Sequence, residues 1–223
     1  MTKQLSISAI LKFSAGVVLV GTLVFLPAGT LAFPGGWLLM GILFIPMFLA
    51  GLVMMAKNPN LLRSRLNAKE KEREQNLVVK LSGLMFLAGF LLAGLDFRFG
   101  WSRLPAWVNI LGAVLFLTAY ALYAEVLREN AWLSRTIEVQ QGQTVISTGL
   151  YGIVRHPMYA VTLLLFLSMP LVLGSIPAFL VFLTYPAIIA RRVRNEEAVL
   201  KRDLPGYAEY LEAVRWRLIP HIW

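Results

Sequence analysis

Apolar and polar positions in this chain fall into long blocks, not into the short alternations of a soluble fold. No residue from Phe13 to Ala56 is charged. That run is too long for one bilayer crossing of about 20 residues and suits two. The turn-forming patch from Pro27-Ala28-Gly29 to Pro34-Gly35-Gly36 divides it. Lys57 to Asn76 then holds six Lys/Arg and three Glu, the pattern of a solvated cytoplasmic loop with short helical pieces. A third span is predicted from about Leu77 to Leu95, with Lys80 near enough to its start to snorkel. It ends at an aromatic and charged belt, Asp96-Phe97-Arg98-Phe99-Gly100-Trp101. A fourth occupies roughly Leu104 to Ala124.

The pattern changes at Asn130. From there to Val154 it is polar, with alternating Thr136-Ile137-Glu138-Val139, and predicts a loop with short extended pieces. Met158 to Ala190 is again uncharged. One continuous helix of that length would reach roughly 50 Å, well beyond a bilayer core of about 30 Å, yet two full spans and a turn need more residues. Pro170, Gly174, Ser175 and Pro177 lie near the middle, so the run predicts a helical hairpin with its tip near the far face. Such a hairpin returns His156 and Tyr159 to the neighbourhood of Arg191, Arg192, Arg194, Glu196 and Glu197. The tail reads as a helix broken near Leu204-Pro205-Gly206. A second helix follows, with Tyr207, Tyr210, Leu211 and Val214 at helical spacing, a stripe suited to packing.

The expected architecture is therefore all-α and polytopic, with about six membrane segments, including the C-terminal hairpin, and a cytoplasmic helical tail. Residues 1–129 form a four-span membrane region, and residues 130–223 a second region holding the polar loop, hairpin and tail. Composition agrees, with 58% hydrophobic and 15% charged residues. The apolar run after Lys3 and Lys12 is too long for a signal peptide and reads as a retained first span. Lys/Arg residues crowd 57–76, 128–155 and 191–223, whereas the opposite loops hold only Arg98 and Arg103. Both termini are thus expected in the cytoplasm. The net charge of +9 is spread between apolar runs, as membrane anchoring requires, and nucleic acid is not an expected partner. The absence of cysteine excludes disulfides, thiolate metal sites and a cysteine nucleophile, and two histidines make a histidine metal centre a poor fit.

Chemistry concentrates in Gly149-Leu150-Tyr151-Gly152-Ile153-Val154-Arg155-His156-Pro157-Met158-Tyr159. Pro157 is suited to the first position of a helix, whose free N–H groups would face an anionic group near Tyr151 and His156. The plainer reading is a helix start whose Arg and Tyr mark the headgroup level. Arg192 and Glu196 share a helix face, with Glu197 beside them. They form either a surface ion pair worth about half a kcal/mol or a fork and a carboxylate set to grip a ligand.

These residues resemble the isoprenylcysteine carboxyl methyltransferase family of integral membrane methyltransferases, relatives of the phospholipid methyltransferases. The resemblance rests on Gly149-Leu150-Tyr151, Arg155-His156-Pro157-Met158-Tyr159, Glu196-Glu197 with Leu200, and the closing Tyr207, Tyr210 and Pro220. It covers roughly Trp132 onward; the first four spans match in character only. It implies S-adenosylmethionine as cofactor, held by Gln143, Thr144, Val145, Ile146, Tyr151, His156, Pro157, Met158 and Tyr159. Glu196 joins from the tail, and Glu138 is a further cofactor-contacting position. It also implies that Arg192 contacts the substrate and that Arg192 and Glu196 carry catalysis. The acceptor is then a lipophilic small molecule or lipidated group reached from the membrane lipid. Val161 and Gln143 depart from the family pattern, at positions that shape the pocket. Phospholipid amine methylation and a nicotinamide-dependent membrane reductase are the alternative activities.

Overall fold

The computed structural model describes residues 3–57, 59–66, 73–130, 132–133 and 139–223, and its regular structure is all helix, with no strand among the described residues. Its α-helices are α1 (Lys3–Ala28), α2 (Pro34–Lys57), α3 (Pro59–Leu66), α4 (Arg73–Phe99), α5 (Ala106–Glu129), α6 (Pro157–Leu173), α7 (Ile176–Phe182), α8 (Tyr185–Asp203) and α9 (Tyr207–Ala213). Five stretches are long and apolar enough to cross a membrane: Gln4–Ala28, Pro34–Lys57, Asn76–Phe99, Ala106–Glu129 and Ile176–Asp203. The shorter apolar α6 makes a sixth membrane segment, about 25 Å long. This is the polytopic helical bundle that the block pattern predicts.

Lipid is as apolar as leucine, so close backbone approach has to do much of the work of holding such helices together. The largest contact is between α5 and α6. There a Cβ on Gly112 would fall 2.6 Å from the Val172 amide nitrogen, and on the other side of the bundle one on Gly94 would fall 2.6 Å from the Val24 carbonyl. Phe116, Phe182, Leu39 and Val24 fill the interior, while Leu26, Ile45, Leu84 and Ile110 point outward as a lipid-facing surface.

The hairpin turns at Gly174, whose φ of 69° needs no side chain to be accommodated. Asn109 of α5 donates to the Val172 carbonyl at 2.9 Å, capping the end of α6. Across the turn, the Ile176 N–H donates to Ser102 Oγ at 3.0 Å, and that hydroxyl donates to Asp96 at 2.7 Å. Asp96 also accepts from the Ser102 N–H at 2.6 Å and is 2% exposed. It is therefore a buried latch between the α4–α5 loop and the hairpin tip, not the interfacial belt charge expected. The returning arm is also not one helix. Pro186 has no N–H to offer the Phe182 carbonyl, so the chain breaks at Leu183-Thr184 and restarts as α8.

The tail breaks as predicted, with Leu204 capping α8 and Gly206 at φ 81° opening α9. Leu204, Tyr207, Tyr210 and Val214 form a small core with Val139, Val145, Leu200 and Leu211 around it. Beyond α9 the chain becomes a strap. The Arg155 N–H donates to the Trp216 carbonyl at 2.8 Å and the His156 N–H to the Arg217 carbonyl at 2.9 Å. The tail is thereby sewn to the segment just before α6. Residues 139–154 carry a turn at Gln140–Gln143 and a 3-10 turn, Gly149–Gly152, while Thr136 to Glu138, part of the alternating stretch, lie outside the described residues.

Candidate functional site

Three segments meet at the end of the bundle that carries the basic clusters: the polar loop, the first turn of α6 and the α8–α9 tail. They enclose a half-open cleft with a cavity volume of about 100 Å3.

Each wall has a local cause. Pro157 is the first residue of α6, where its missing N–H costs nothing, and it is buried outside the cleft lining. One turn in, the Tyr159 hydroxyl donates to Glu196 of α8 and accepts from Arg192 Nε at 2.8 Å. The phenol bridges a carboxylate and a guanidinium held on one face of α8, so the hairpin joins residues far apart in sequence. Beneath them the Tyr185 hydroxyl donates to Thr162 at 3.0 Å and steadies the start of both arms.

The loop wall depends on Gly149, whose φ is 53°. A Cβ there would fall 1.3 Å from a Glu129 carboxylate oxygen. Glu129 uses that space to accept the Leu150 N–H at 3.0 Å, capping the 3-10 turn that presents Tyr151. Tyr151 is then fixed from two sides. Asn130 donates to its hydroxyl at 2.9 Å, and the Tyr210 hydroxyl donates to its carbonyl at 2.7 Å. Burial raises the Tyr210 phenol far above its ordinary range, and the Tyr151 phenol adds to that, so it stays a donor.

Of the residues marked out in the sequence, Gln143, Thr144, Val145 and Ile146 line the cleft, as do Tyr151, His156, Met158 and Tyr159. Arg192 and Glu196 complete the set. Gln143 Oε1 accepts from the Gln140 N–H at 2.9 Å and so closes its own turn. Val161 is buried in the small core beneath Tyr151, behind the cleft wall. Glu138 lies outside the described residues. The lining also contains residues that sequence reasoning did not assign to it: Asn130, Trp132 and Leu133 before the loop, Arg155, and Leu200, Leu204, Tyr207 and Tyr210 in the tail. The tyrosine stripe on α9 both packs and forms cleft wall, a double role that spacing does not reveal.

Glu197 is placed differently from Glu196. Its carboxylate lies 3.2 Å from Arg155 Nε and 3.3 Å from His156 Nε2, and accepts from Arg217 Nε at 2.8 Å. Two basic groups come from the motif and one from the strap, so Glu197 clamps the tail onto the cleft. Arg217→Ala is expected to destabilise the fold by about 2 kcal/mol, read as a lower melting temperature in detergent. This is below the usual cost of breaking a buried pair because Arg217 is 32% exposed and Arg155 and His156 remain. An unchanged melting temperature would show that the strap holds through its backbone alone.

Residues 107–204 match the family model described as phospholipid methyltransferase. The Delta(14)-sterol reductase of Mus musculus is 30% identical over 91 residues, 40% of this chain and 22% of that protein. The Delta(14)-sterol reductase of Methylotuvimicrobium alcaliphilum is 27% identical over 135 residues, 54% of this chain and 32% of its own length. The cobalt-zinc-cadmium resistance protein CzcN of Cupriavidus metallidurans is 33% identical over 127 residues, 54% of this chain and 55% of that protein. The chain thus spans between a fifth and just over half of the length of these curated relatives. Among solved structures, the eukaryotic intramembrane Ras methyltransferase, an isoprenylcysteine carboxyl methyltransferase, superposes with a TM-score of 0.58. It covers 96% of this chain and 77% of its own at 18% identity, so what the two share is the fold.

Proposed function

We propose, for a chain whose residues 107–204 match the phospholipid methyltransferase family model, an integral membrane methyltransferase that uses S-adenosylmethionine on a lipophilic acceptor. The reaction most like it is isoprenylcysteine carboxyl O-methylation. The observation that carries this reading is the Tyr159, Glu196 and Arg192 set, joined across the hairpin inside a cleft at the membrane boundary. The lining of the cleft suits the methyl donor in kind. It offers a carboxylate, guanidinium groups, aromatic faces and buried donors without an acceptor.

When bound, S-adenosylmethionine supplies an electrophilic methyl group on a sulfonium. The residues of the chain then have three tasks: to hold donor and acceptor in line, to exclude water and to balance charge. Glu196 binds hydroxyl or ammonium groups of the donor, and the rings of Tyr151 and Tyr159 offer faces to positive charge. Arg192 orients the acceptor. A carboxylate acceptor is ionised at pH 7, so no residue has to remove a proton, and the Arg192 fork matches its two oxygens. Tyr159 couples the two ends, since one hydroxyl touches both the donor-binding carboxylate and the acceptor-binding guanidinium. With the cleft among the basic clusters, the positive-inside bias supports a cytoplasmic site and cytoplasmic termini.

Glu196→Ala is expected to weaken S-adenosylmethionine binding tenfold or more in calorimetry on detergent-purified protein. Undiminished affinity would remove Glu196 from the donor site. The family description favours a second reading, N-methylation of a phospholipid amine, in which a base has to take a proton. Methyl label from the donor, followed into phosphatidylethanolamine products and into base-labile esters, separates the two. The sterol reductase relatives fit the alternative of a membrane reductase only weakly, and NADPH binding without S-adenosylhomocysteine binding would establish that reading.

A further inference from the structure

Two buried donors in the cleft have no acceptor. Tyr207 is 4% exposed and its hydroxyl has no hydrogen-bond partner. The Arg155 side chain is 9% exposed, and its Nε lies 3.2 Å from Glu197 but out of line for a hydrogen bond. Both residues line the same cleft. The Tyr207 phenol lies within electrostatic reach of Glu197, Glu196 and Arg155, and burial followed by the two carboxylates raises it far above its ordinary range. It stays protonated and available to donate. Leaving such groups unsatisfied costs free energy that a ligand acceptor can recover.

We infer that Arg155 and Tyr207 together form the receptor for the amino-acid carboxylate of the methyl donor, an inference that rests on the methyltransferase reading above. The chemistry selects that group. A guanidinium and a neutral phenol are both donors, so the missing member is an acceptor. The carboxylate is the one anionic acceptor the donor carries, and charge-assisted bonds to it are about twice as strong as neutral ones. Glu197 lies 3.2 Å from Arg155 but is one carboxylate shared between Arg155 and Arg217, so the pair of guanidiniums keeps a net positive charge for an anion. The Tyr207 hydroxyl is closed off from water as the chain stands. An acceptor reaching it therefore parts the α9 wall, and binding is coupled to a small movement of that helix.

Tyr207→Phe tests this with little risk to the fold, since the hydroxyl removed bonds to nothing in the protein. The probes are S-adenosylhomocysteine, which carries the carboxylate, and 5′-methylthioadenosine, which keeps the nucleoside and sulfur but lacks the amino acid. Calorimetry is expected to show about a tenfold loss for the first and no change for the second. The ligand-free variant should melt no lower than the wild type. Equal losses for both probes would put the hydroxyl on the nucleoside and overturn the assignment, as would unchanged binding of both. Wild-type protein that binds neither probe would instead sink the methyltransferase reading, and the receptor with it.

Discussion

Arg192→Lys is expected to lower methyl transfer about a hundredfold while leaving S-adenosylmethionine affinity within about threefold. Lysine keeps the charge but loses the planar fork, and with it the Nε that donates to the Tyr159 hydroxyl at 2.8 Å. The acceptor is then attracted but no longer aligned, and displacement at a methyl carbon is sensitive to an error of about an ångström. Tyr159 keeps its bond to Glu196, so the donor side stays in place. Single-turnover rates with saturating donor, beside calorimetry on the same preparation, make the measurement. A parallel fall in donor affinity would place Arg192 on the donor instead of the acceptor.

Gly149→Ala is expected to destabilise the protein by about 3 kcal/mol, through a side chain at positive φ and the loss of the Glu129 cap. For a chain of this size that corresponds to a melting temperature roughly 6–12 °C lower. The methyl group and a Glu129 oxygen cannot share the site, since they would be 1.3 Å apart. Glu129 has to swing away, the Leu150 N–H loses its acceptor, and Tyr151 is released from its setting. Thermal unfolding in detergent reads the stability, and donor binding should weaken with it. A wild-type melting curve would mean that Glu129 has a second rotamer of equal value.

The architecture could be read from the sequence because a bilayer leaves the backbone so few choices. An uncharged run has to become helix, and its length against the bilayer decides how many times it crosses. The hairpin followed from the same arithmetic at Met158 to Ala190, and the α9 stripe from spacing alone. Other features were hidden because they depend on what a side chain faces. Asp96 read as a belt charge, since nothing local says that Ser102 turns back to cover it. The break between α7 and α8 falls inside an uncharged run, where Pro186 is a local sign but the charge pattern does not change. Arg155 sits beside a membrane segment like any headgroup anchor, and only the folded tail turns it toward Glu197. Val161 looked like a determinant of pocket shape, but the helix face it occupies looks into the core beneath Tyr151.

The strap has a consequence for how the molecule comes into being. Tyr159 and Glu196 sit on opposite arms of the hairpin, and the backbone bonds from Arg155 and His156 reach Trp216 and Arg217, translated about sixty residues later. A nascent chain already threaded into the bilayer as far as α6 therefore has half a cavity and no floor. Ligand affinity arises only when Trp216 and Arg217 have left the ribosome and docked, so competence for binding is itself a marker that this strap has been made.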